Sequence, residues 1–96
     1  MTHSEAYTMV LGKRGLMRRK VGNNTYGEIL HDGSVGIFLH GTCVVRIHQD
    51  GDYTLNAGGW HTVTTKDRIN QYSPYRVFQK NHEWFVRVGE TTVPFY

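Results

Sequence analysis

Residues Tyr53–Asn70 hold the chain's densest set of groups able to do chemistry. Eighteen residues contain the pair Gly58-Gly59, Trp60, four threonines and two cations, Lys66 and Arg68. Backbone amides at Gly58, Gly59 and a helix start over Thr64, Thr65 and Lys66 are able to face an anion. Lys66 and Arg68 would add charge, and Trp60 would stack on a nucleobase. A structural reading stands beside this one: the glycines turn the backbone, Trp60 is core, and the threonines cap a helix. The run is not a P-loop, because the glycine-x4-glycine-lysine-(serine or threonine) pattern is absent.

A second concentration is purely electrostatic. Lys13, Arg14, Arg18, Arg19 and Lys20 fall within residues 13–20 with no acid among them. They are five of the eleven Lys and Arg residues, and the six that remain face eight acids. The net charge of +3 is therefore local in origin. Such a patch docks phosphates or an acidic protein surface, or it is a solvated, partly mobile arm.

Other catalytic constellations are weak. The six histidines include no pair at the i, i+4 spacing of helical zinc sites. His40 and His48, read on adjacent strands of a hairpin, would approach one another. Cys43 beside either histidine would make a thiol–imidazole pair, but it alternates in register with Val45 and Ile47 and reads as a small packed hydrophobe. The acids form no paired-carboxylate motif. A non-enzymatic protein with no metal and no cofactor is the expectation. Phe38, Tyr53, Tyr75, Phe78, Trp84 and Phe85 lie on expected strands, where aromatics either fill a core or stack bases.

Ninety-six residues make one domain with a small core, to which assembly into a homo-oligomer is a natural supplement. No apolar stretch approaches the roughly 18–20 residues of a membrane helix. No basic region precedes the apolar N-terminal residues, so no secretory signal is expected. A lone cysteine excludes an internal disulfide and fits a reducing cytoplasm. Residues 1–12 read as a short helix capped at Ser4-Glu5 and ended by Gly12, an edge strand or a tail, within an N-terminal segment 1–17 that is flexible or short helical. Residues 13–25 read as a loop or arm.

From Tyr26 onward strands dominate. Asp32-Gly33, Asp50-Gly51 and Asn81-His82 mark hairpins, with type I′ geometry expected at Asp50-Gly51. Gly41 allows a sharp bend. Thr64-Thr65-Lys66-Asp67 matches a capping box and predicts one helix over about 65–72, ended by Ser73-Pro74. Pro94 marks the last strand as an edge. The fold class is mainly β: a small curled antiparallel sheet or partly open barrel with one short α-helix.

The stretches Leu39-His-Gly-Thr-Cys-Val-Val and Thr54-Leu-Asn-Ala-Gly-Gly-Trp-His-Thr-Val-Thr-Thr-Lys-Asp-Arg-Ile-Asn70 resemble a widespread group of small bacteriophage proteins. Lys20-Val-Gly-Asn-Asn-Thr25 and Glu83-Trp-Phe-Val86 extend the likeness over residues 18–88. The resemblance implies a viral accessory protein in the cytoplasm of an infected bacterium. It transfers no catalytic residue. Two functions follow as expectations: a binder of an anionic ligand, nucleic acid or nucleotide, or an inhibitor of a host bacterial protein. That protein would be a defence enzyme (anti-CRISPR or other anti-defence action) or a regulatory enzyme.

Overall fold

Tight turns fold most of the chain into two antiparallel meanders. In the computed structural model, which describes residues 1–95, the first sheet has the order β1 (Arg18–Gly22), β2 (Thr25–Ile29), β3 (Val35–Leu39), β4 (Thr42–Ile47) and β5 (Tyr53–Leu55). The second sheet is β6 (Arg76–Lys80), β7 (Glu83–Val88) and β8 (Thr91–Pro94). Helix α1 (His3–Leu11) precedes the first sheet, and α2 (Val63–Tyr72) joins the two. The architecture is mainly β, and neither sheet closes into a barrel. Pro94 lies on an edge strand, as its missing N–H requires.

Turn chemistry explains the registers. His40 and Gly41 both have positive φ, at 51° and 84°, and close β3–β4 with a two-residue type I′ turn. Asn81 and His82, at 53° and 66°, close β6–β7 in the same way. The Asp50-Gly51 hairpin departs from the expected type I′. Only Gly51 has positive φ there; its amide bonds to the His48 carbonyl and the His48 amide to Asp52. That is a type I turn followed by a glycine bulge. Leu30–Ser34 repeats the pattern around Gly33.

The N-terminal region is more ordered than its composition implies. The cap of α1 is Thr2, not Ser4-Glu5: Thr2 Oγ1 accepts from the Glu5 amide, and the Glu5 carboxylate accepts from the Thr2 amide. The helix ends at Gly12, and Ala6 and Val10 are fully buried. Val10 presses onto bare backbone, since a Cβ at Gly27 would lie 2.6 Å from Val10 Cγ2. The expected arm over residues 13–25 is instead partly β1, which pairs with β2 and forms one edge of the sheet. Tyr26, opposite Lys20 and under Arg18, supplies the partner surface that makes a strand of a basic segment.

Helix α2 begins two residues earlier than expected. Its cap is Thr62, whose Oγ1 accepts from the Thr65 amide at 3.2 Å. Thr65, Ile69 and Tyr72 form its buried stripe and bridge the two sheets. Asn70 clamps the second sheet to the helix. Its side chain donates to the Val77 carbonyl at 3.0 Å and accepts from the Val77 amide at 2.6 Å.

A bulge corrects the expected facing of β4. Ile37 pairs with Val45 but Phe38 pairs with Cys43, leaving Val44 as the extra residue. Val44, Val45 and Ile47 are all buried, whereas Cys43 leaves the core face and packs half-buried beside Gly36 and Phe38. The expected approach of His40 and His48 is also overturned. They sit at opposite ends of β4, whose length at about 3.3 Å per residue keeps them apart. Among the described residues no helix is long and apolar enough to cross a membrane.

Candidate functional site

Gly58 and Gly59 hold positive φ, at 60° and 81°, and carry the chain from β5 toward α2. Gly58 passes so close to Thr42 that a Cβ there would meet Thr42 Cγ2 at 2.5 Å. The turn is fastened on both sides: the Gly58 amide donates to Asn56 Oδ1 at 2.9 Å, and the Trp60 amide to the Ala57 carbonyl. Trp60 therefore projects from a fixed loop. It is 62% exposed, whereas Trp84 is 8% exposed and belongs to the core. The reading of Trp60 as core is thus wrong; Trp84 fills that role.

Beneath Trp60 lies a pocket of about 470 Å³. Leu39, Val44 and Ala57 form its apolar part. His40 and the threonines 42, 62, 64 and 65 supply its polar groups. The β4 bulge puts Val44 there, and the type I′ turn holds His40 at the rim. A pocket of this size, largely apolar with a few convergent polar groups and one exposed ring, suits a small planar ligand.

The other expected site residues are distributed around it. Thr64 and Thr65 line the pocket, but the Thr65 amide is used by the Thr62 cap and the Lys66 amide bonds to the Thr62 carbonyl. The Gly58, Thr65 and Lys66 amides are therefore engaged within the protein rather than presented to an anion. The cations diverge by two positions along α2. Lys66 Nζ lies 5.8 Å from the Trp84 ring centroid, toward the second sheet. Arg68 Nε donates to Thr25 Oγ1 at 2.8 Å, toward the start of β2. His61 packs edge-on against Trp84 at 4.8 Å.

From Arg18 onward the basic segment is strand, while Lys13 and Arg14 lie in the turn after α1. Arg18 lies over the Tyr26 ring at 4.1 Å, while Arg19 turns to the opposite side and donates to the Met9 carbonyl near the end of α1. Lys13, Arg14, Arg19 and Lys20 border a broad depression beside that helix end. This surface is separate from the Trp60 pocket, so the two groups of expected site residues do not merge into one.

Cys43 is not arranged as a nucleophile. Burial pushes its thiol pKa up, and Sγ donates to the Val45 carbonyl at 3.5 Å. An activated cysteine needs the reverse shift. No three His, Cys, Asp or Glu side chains converge among the described residues. The pocket roles of His40 and Thr42 were missed from sequence, although the His40-Gly41 turn was a usable signal.

The family model of the Kyanoviridae Gp96 protein, a phage protein family, matches residues 7–96. The chain belongs to this family. The match takes in most of α1 and every site residue discussed above, and so reaches beyond the resemblance over residues 18–88. No curated protein and no solved structure matches the chain.

Proposed function

We propose that this phage-family protein is a non-enzymatic accessory protein acting in the cytoplasm of an infected bacterium, where it binds a nucleotide or a nucleic-acid base in the Trp60 pocket. The observation that carries the reading is Trp60 itself: a large ring, mostly exposed, held by a fastened glycine turn at the mouth of a largely apolar pocket with a few polar groups. Leaving that ring in water forgoes apolar burial, and stacking a base on it is worth about 1–3 kcal/mol. The Thr42 and Thr64 hydroxyls and His40 are suited to base or sugar edges, whereas the Thr62 and Thr65 hydroxyls bond to each other. Lys66, Arg68 and the β1 cations lie outside the pocket lining and would act on the charged remainder of the ligand only through their longer-range field.

The test is a fluorescence titration with nucleoside mono- and triphosphates and with short single-stranded DNA and RNA. Tryptophan emission should be quenched on binding, the quench should vanish in Trp60→Phe, and affinity should fall with salt. An absence of quench across that panel would remove the reading.

A second reading, inhibition of a host protein, is favoured by the open edge of β1. Arg18, Arg19 and Lys20 are exposed there on an edge strand, ready to pair with an acidic partner's strand. Its signature is the opposite result: no nucleotide response, but one stoichiometric host protein recovered in a pull-down and lost in Arg18→Glu/Lys20→Glu.

A further inference from the structure

Among the described residues, α2 is the element that packs on the sheet β6-β7-β8. Val77, Trp84 and Val86 are buried on the face toward α2. Strand alternation turns the intervening residues outward. Two rows result. Phe78, Phe85 and Pro94 are register partners across the three strands, and the two phenyl rings stack at 5.8 Å with an interplanar angle of 27°. The neighbouring row is Arg76, Arg87 and Thr92.

That arrangement runs against folding stability. Arg76 and Arg87 stand directly opposite each other, and like charges in that position destabilise a sheet. Among the described residues the one ion pair in the molecule is Arg46–Asp32, so no acid neutralises either arginine. Glu83, the acid on this face, is opposite Lys80. The face thus carries three cations against one acid, beside a half-buried aromatic pair. A second copy of the chain would set two cationic faces together. A polyanion that alternates flat rings with phosphates complements both rows.

We infer that the outer face of β6-β7-β8 is a contact surface for single-stranded nucleic acid. One base stacks on the Phe78–Phe85 pair, and a phosphate sits between Arg76 and Arg87. The surface is distinct from the Trp60 pocket, whose lining includes none of these phenylalanines or arginines. Stacking requires unpaired bases, so duplex DNA is the discriminating competitor.

The experiment is fluorescence anisotropy with labelled oligothymidine and oligouridine of about 12 nucleotides, against a duplex of the same length. Single strands should bind more tightly than the duplex. Phe78→Leu and Phe85→Leu keep apolar bulk but lose the ring, and should weaken binding by about tenfold or more. Arg76→Gln/Arg87→Gln should lower the slope of log affinity against log salt by about 0.7, one phosphate's worth. Because both arginines are exposed, that variant tests the surface even if a leucine variant fails to fold. Equal binding of duplex, no binding at low salt, or folded arginine variants that bind like the parent would overturn the inference. Loss of all binding in Trp60→Phe alone, with these variants unaffected, would assign binding to the pocket and likewise overturn it.

Discussion

Asp32 shows how a single side chain is tied into this fold. Its carboxylate accepts from the Ser34 hydroxyl at 2.6 Å and the Ser34 amide at 3.0 Å, and it pairs with Arg46 at 2.7 Å. These contacts, the Ser34 hydroxyl foremost, hold its pKa down at about 2. A depressed carboxylate stabilises the fold above its unfolded value of about 3.9, and that contribution disappears as pH falls through about 2. Asp32→Asn should therefore lower Tm near pH 7 and converge with the parent near about pH 1.5, read by circular dichroism. Equal Tm loss at both pH values would mean that the carboxylate charge is not the source. At this scale the sequence showed Asp32-Gly33 only as a turn. Arg46 lies fourteen residues away, and no local pattern announces their meeting.

At the level of elements, α2 tests the difference between pattern and geometry. Thr64-Thr65-Lys66-Asp67 looks like a capping box, yet Thr62 is the cap. Thr62→Ala should cost about 1 kcal/mol of stability, whereas Thr64→Ala should stay within about 0.5 kcal/mol. Urea unfolding of the two variants decides the matter, and the reverse order would restore the Thr64 cap. Threonines at 62, 64 and 65 offer overlapping signals, and the exit direction of the fastened glycine turn selects among them. Hairpins were legible because their turn residues act locally: Asn81-His82 between alternating strands is a complete instruction. β1 was not legible, since its strand form depends on Tyr26 and Glu28 opposite it rather than on its own arginines.

In the whole molecule, two meanders are joined by one helix, and Asn70 holds the joint. Its side chain serves the Val77 amide and carbonyl on the side of edge strand β6 away from β7. Asn70→Ala leaves both groups unsatisfied, at a cost of about 1–3 kcal/mol. Amide hydrogen exchange should accelerate across β6 and β7 more than across β3 and β4. Uniform acceleration would indicate that the two sheets unfold as one unit.

By itself the sequence determined the antiparallel β class, most strand and hairpin positions, the edge placement of Pro94 and the phage-type resemblance. All rest on short-range φ preferences, alternation and motif spacing. Tertiary structure alone decided which tryptophan is core, which face Cys43 takes, and how Lys66 and Arg68 diverge. Burial depends on what a distant strand or helix presents in return. The β4 bulge exchanges Val44 for Cys43 on the core face, and the docking of α2 between the sheets sends its two cations to different sides.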